Sequence, residues 1–187
     1  MSKIILIGMP GAGKSTIANA LQDVLDDPKT MVNYTRMDQV IKGICGDVSN
    51  ITEYYRNRIQ HDTLSIIENI CSSREFIGEE FIIDTGGGIV MSEDCRQLLR
   101  TMTDTFIVWV KCDLKYVRDP RTMSINIKSK RKLADIRYPF YHSLCNYAVI
   151  NNRAPTKTPE KIAEDIYNNY NEWKRDPATY FYKDKRR

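Results

Sequence analysis

The stretch KIILIGMPGAGKST, residues 3–16, runs from an apolar, β-leaning segment through a glycine-rich turn into residues that open a helix. From Gly8 to Ser15 it fits G-x-x-x-x-G-K-[ST]. Glycines in such a loop let backbone N–H groups turn inward onto phosphate oxygens, and the helix that follows aims the positive end of its dipole at the same place. Gly11, Ala12 and Gly13 then form a cradle, and Lys14 reaches the β- and γ-phosphates as a point charge. The Ser15 hydroxyl is set for Mg²⁺, and Thr16 for the α-phosphate. A strand–turn–helix rich in glycine for steric reasons alone leaves the Lys14-Ser15 pair unexplained.

Outward from this loop, strand-like and helix-like segments alternate. Short apolar runs fall at 3–7, 31–35, 80–84, 105–110 and 146–150. Helix-like stretches fall at 14–26, 52–73, 92–102, 128–144 and 158–173. Continuous apolar runs suit strands buried on both faces. The expectation is an α/β chain with the three-layer sandwich of P-loop NTPases, a five-stranded parallel sheet between helices. Thr158-Pro159-Glu160 is a start signal for the last helix, a capping residue with proline at the first turn. Residues 117–130 are polar and poorly periodic, which suits a mobile excursion from the core. One domain is expected over 1–173, followed by a basic tail at 174–187.

Charge and cysteine usage narrow the functional classes. The net charge is +4, and the tail KRDPATYFYKDKRR accounts for it with six basic and two acidic residues, leaving 22 against 22 elsewhere. A nucleic-acid binder carries its basic excess on the folded body, so nucleic acid is not expected as a partner, and the tail reads as a solvated end. The five cysteines, Cys45, Cys71, Cys95, Cys112 and Cys145, are odd in number and never spaced C-x-x-C. That argues against a disulfide framework and a zinc site and fits the reducing cytoplasm. No apolar run reaches the roughly 18 residues of a membrane span. The Asn-Lys-x-Asp motif of Ras-type GTPases is absent.

The second informative patch is IIDTGGGIV, residues 82–90, a strand running into three glycines. In an open parallel sheet, ligands bind at the carboxyl ends of strands, so Gly86, Gly87 and Gly88 are expected beside the phosphate loop, their N–H groups free to approach an anion. With GMPGAGKST, this IIDTGGGIV and the RYPFY segment at 137–141, the chain resembles shikimate kinase. Tyr55-Arg56 is similar to that family's Phe-Arg pair, Asp38 to the second Asp of its Asp-Thr-Asp, and Asn152-Arg153-Ala154-Pro155 to a shortened adenine loop.

The resemblance implies ATP as phosphoryl donor, Mg²⁺ as its metal, and a small hydroxylated acid, shikimate, as acceptor, in a monomer. It places a helical substrate-binding region at about 36–73. Asp38 would accept hydrogen bonds from substrate hydroxyls and orient the attacking one. Arg56 and Arg137 would hold the carboxylate, as guanidinium forks do, with Gly86, Gly87 and Gly88 lining that pocket. Arg153 would touch the adenine. Three departures keep other readings open: another metabolite or nucleotide kinase of this fold, or a nucleotide-binding relative without turnover. Arg36 stands where the family has the first Asp of its pair, and Asp84 is the candidate to take over that metal role beside Ser15. The family's R-P-L-L lid motif is missing, with Arg118 and Arg121 the nearest lid arginines. The adenine loop is short.

Overall fold

The computed structural model describes residues 2–25, 32–37, 39–40, 80–117, 127–152, 157–178 and 180, with backbone only at 127 and 128. Five strands, β1 (Lys3–Ile7), β2 (Val32–Arg36), β3 (Glu80–Asp84), β4 (Thr105–Lys111) and β5 (Tyr147–Ile150), form one sheet in the order β2-β3-β1-β4-β5. Every pairing is parallel. β2 ends one residue later than the pattern indicated, which brings Arg36 into the sheet opposite Asp84. The described helices are α1 (Lys14–Leu25), α2 (Glu93–Thr101), α3 (Ile127–Leu144) and α4 (Pro159–Arg175). The helix expected at 52–73 lies outside the described residues.

Local chemistry sets the helix ends. Ser92 caps α2 by accepting from the Cys95 N–H, with Glu93 and Asp94 in the first turn and Arg100 in the last, each placed to oppose the helix dipole. Thr158 caps α4 in the same way, with Pro159 at the first helical position.

Strand parity shows the layering. On β4, Phe106 packs against Tyr170 and Trp173 of α4, while Trp109 packs against Tyr138 and Tyr141 of α3. An even and an odd residue of one strand point to opposite faces, so α3 and α4 cover opposite sides of the sheet. α1 packs on α4, and α2 on α3. β1 and β4 are therefore buried on both faces, as their unbroken apolar runs require.

This layout locates the site. From β1 the chain crosses through α1 toward β2; from β3 it crosses through α2 toward β4 on the other side. Neighbouring strands β1 and β3 thus send their connections in opposite directions, which opens a crevice above their carboxyl ends. The solvated tail needs one correction: α4 continues to Arg175, and Tyr180 is buried edge-on against Phe106, its hydroxyl bonded to Asn169. No helix among the described residues is long and apolar enough to cross a membrane.

Candidate active site

The loop after β1 has the backbone that its glycines foretell. Gly13 sits at φ +91°, where a side chain is strained, and a Cβ there would collide with the Asn151 amide. That amide, at the end of β5, donates to the Ala12 carbonyl at 2.8 Å and so fixes the loop from below. Among the described residues, the N–H groups of Gly11, Gly13, Ser15 and Thr16 find no backbone acceptor, so they remain available to an anion. Lys14 is buried, and its Nζ donates to the carbonyls of Gly8 and Met9, both at 3.3 Å. Thr16 is exposed.

Beside the loop, Ser15 Oγ donates to Asp84 Oδ2 across 2.5 Å, joining the start of α1 to the end of β3. The β2–β3 register sets Tyr34 opposite Ile82 and Arg36 opposite Asp84, so Tyr34, Arg36 and Asp84 share one face of the sheet. The Tyr34 hydroxyl is buried and makes no hydrogen bond of ordinary length and angle. Burial first, then the Asp84 charge, pushes this phenol up to about 12, against smaller opposite pulls from Arg36 and Ser15. Arg36 itself is exposed. A hydroxyl and a carboxylate this close are the hard oxygen donors that Mg²⁺ prefers. Among the described residues no three His, Cys, Asp or Glu side chains gather as a metal site; Mg²⁺ on phosphates usually takes one or two carboxylates, with the nucleotide and water supplying the other ligands.

The glycine run lies directly against the phosphate loop. A Cβ on Gly87 would stand 2.5 Å from Pro10 Cδ and 2.8 Å from the Pro10 nitrogen, so only glycine permits this contact. All three glycine carbonyls are occupied: Gly86 accepts from the Ile89 N–H, Gly88 from the Met91 N–H, and Gly87 from the Tyr141 hydroxyl at 2.7 Å. Their N–H groups donate to no described residue. Thr85 binds the run to β1, its hydroxyl donating to the Leu6 carbonyl at 2.9 Å.

RYPFY, on α3, explains itself residue by residue. Tyr141 clamps Gly87; its phenol is raised by burial, partly offset by the Arg137 charge. Phe140 lies under the Arg96 guanidinium, 4.3 Å from ring centre to Cζ, and Arg96 in turn donates to the Val90 carbonyl at 2.6 Å and pairs with Glu93. Pro139 withholds a donor from the Asp135 carbonyl inside the helix. Arg137 Nε and Nη1 are buried with no partner. Arg137 is half-buried, so the cost falls on those two nitrogens, and a carboxylate bound there would relieve it.

Lys14, Ser15, Asp84, Gly87 and the end of β2 therefore meet at the β1/β3 crevice, with Arg137 on the helix that clamps it. Asp38, Arg56, Arg118, Arg121 and Arg153 lie outside the described residues. Sequence reasoning missed Tyr34, Asn151 and Tyr141's clamp. Asn151 was readable only as a polar residue following a strand, and Tyr34 only as one tyrosine among eleven.

The family model described as shikimate kinase matches residues 10–171. The shikimate kinase of Zymomonas mobilis subsp. mobilis is 32% identical over 151 residues, covering 74% of this chain and 78% of that protein. Two solved structures share the fold. Shikimate kinase from Bacteroides thetaiotaomicron has a TM-score of 0.66 at 18% identity, covering 89% of this chain and 95% of its own. Shikimate kinase from Acinetobacter baumannii in complex with shikimate has a TM-score of 0.64 at 21% identity, covering 89% and 91%.

Proposed function

The chain belongs to the shikimate kinase family, and from that premise we propose that it transfers the γ-phosphoryl group of ATP to a hydroxyl of shikimate, giving 3-phosphoshikimate. One observation carries the reading: Gly87 of the acceptor-side glycine run touches Pro10 of the phosphate loop, so donor and acceptor pockets share a wall. In-line transfer needs such adjacency more than it needs covalent help from the protein.

The roles follow from the positions. Lys14 would exchange the Gly8 and Met9 carbonyls for phosphate oxygens. The free N–H groups of Gly11, Gly13, Ser15 and Thr16 would cradle the phosphates. Ser15 and Asp84 would hold Mg²⁺, which when bound neutralises charge on the β- and γ-phosphates. Arg137, with Arg56, would bind the substrate carboxylate, and the N–H groups of Gly86, Gly87 and Gly88 would line the pocket. Asp38 would orient the attacking hydroxyl, Arg118 or Arg121 would close over the transferred group from a lid at about 117–130, and Arg153 would touch the adenine. The proposal is for a monomer acting in the cytoplasm.

A coupled ADP-release assay with Mg-ATP, with and without shikimate, tests this. The expected result is shikimate-dependent release, lowered by orders of magnitude in a folded Lys14→Ala variant. Nucleotide binding without any shikimate-dependent turnover would favour a relative that binds without catalysing. Turnover with a different hydroxylated acid or a nucleoside monophosphate would overturn the choice of acceptor.

A further inference from the structure

We propose that Tyr34 is a positioning residue for the metal: its hydroxyl donates to the Asp84 carboxylate once Ser15 has turned its own hydroxyl toward Mg²⁺. The inference rests on the phosphoryl-transfer reading above.

Three observations carry it. First, the Ser15 proton is committed to Asp84 at 2.5 Å. A hydroxyl that becomes a metal ligand presents its lone pair to the ion, so its proton must turn elsewhere and the carboxylate oxygen must find another donor. Second, Tyr34 stands on the neighbouring strand and on the face it shares with Asp84, two positions before the residue in register with that carboxylate. Third, its hydroxyl oxygen is buried and makes no hydrogen bond of ordinary length and angle, Ser15 Oγ being its one near polar neighbour of that kind. An unsatisfied buried hydroxyl is tolerated rarely, and chiefly where function supplies the partner. A phenylalanine would fill the same space against the core without that cost. Arg36, on the next position of the same face, is a cation where a second carboxylate would help hold the ion; a neutral donor that steadies the single carboxylate fits that arrangement.

The test is Tyr34→Phe, which keeps the ring and removes only the oxygen. ATP binding is followed by calorimetry across a Mg²⁺ series, with no acceptor present, and Mn²⁺ binding to the ATP complex by electron paramagnetic resonance. The Mg²⁺ concentration for half-maximal ATP binding should rise by about tenfold or more, the usual scale for removing a group behind a metal ligand. Metal-free ATP affinity should stay as it is, and the melting temperature of the unliganded protein should be unchanged or higher, because a hydroxyl without a partner stabilises nothing. The Mn²⁺ signal should weaken in parallel. An unchanged Mg²⁺ dependence overturns the proposal. So does an equal loss of metal-free binding, which would mean that Tyr34 shapes the loop, and so does a lowered melting temperature, which would mean that the hydroxyl is already satisfied. Failure of wild-type protein to bind Mg-ATP would instead sink the kinase reading, so the two failures are distinguishable.

Discussion

Asp84 is the residue on which most of the proposed chemistry converges. It is buried, in register with Arg36, and hydrogen-bonded to Ser15. Asp84→Asn keeps the size and the hydrogen bond but removes the charge that a divalent ion needs. Turnover is expected to fall by about 10²-fold or more, with only a modest loss of nucleotide affinity, because a metal's share of transition-state stabilisation exceeds its share of ground-state binding. Steady-state kinetics beside ATP titration check this, and unchanged turnover would remove Asp84 from the mechanism. Arg36 offers the converse change. Arg36→Asp replaces an exposed cation by an anion on the same face as Asp84 and should lower the Mg²⁺ needed for half-maximal rate by about tenfold, a Coulomb effect of roughly 1–2 kcal/mol at a partly screened distance. The gain should shrink as salt is raised, and a Mg²⁺ requirement that does not move would place Arg36 too far from the ion to matter. Much at this scale was legible: Gly8 to Thr16 and the Gly86–Gly88 run announce themselves by spacing. Tyr34 does not. Its meaning comes from the register of β2 on β3, a pairing between residues almost fifty apart in the chain, and no local pattern encodes that.

Between elements, the decisive link is the one from α3 to the glycine run. Strands and helices could be placed by their apolar periods, because burial on both sides leaves a continuous run and capping leaves Thr158 at the start of the last helix. RYPFY could be recognised as a motif, but its mechanical role could not, since Tyr141 reaches 54 residues back to the Gly87 carbonyl. That bond holds Gly87 against Pro10 and so ties the proposed acceptor pocket to the phosphate loop. Tyr141→Phe leaves a buried carbonyl unsatisfied, at a cost of about 1–3 kcal/mol. For a chain of this size that lowers the melting temperature by about 2–12 °C. Because the clamp orders the pocket as well as the core, KM for the acid should rise several-fold more than KM for ATP, whose cradle is held separately by Asn151 on Ala12. Equal effects on both constants would show that the clamp serves stability only.

Across the whole molecule, the aromatic core and the proposed catalytic site sit at opposite ends of one sheet. The phosphate loop, Asp84 and the glycine run follow the carboxyl ends of β1 and β3, whereas Phe106 lies near the amino end of β4 and gathers Tyr147, Tyr170, Trp173 and Tyr180 around it. Five residues of extended chain separate Phe106 from the far end of β4 at Lys111, a span of about 17 Å at ~3.3 Å per residue. Effects more than about 10 Å apart and without shared partners usually add independently. Tyr180 is only 6% exposed, so Tyr180→Ala opens a cavity beside Phe106 and should cost about 2–4 kcal/mol. The melting temperature is then expected to fall by about 5–15 °C, while kcat and KM at 25 °C keep their wild-type values. Saturating Mg-ATP should raise the melting temperature of wild type and variant by similar increments, as it must when a ligand binds a site the substitution does not feel. Thermal denaturation of both proteins with and without Mg-ATP measures every part of this. An unaltered melting temperature would mean that Tyr180 adds nothing to the core, and a ligand shift lost in the variant would mean that the aromatic cluster and the phosphate loop act as one cooperative unit.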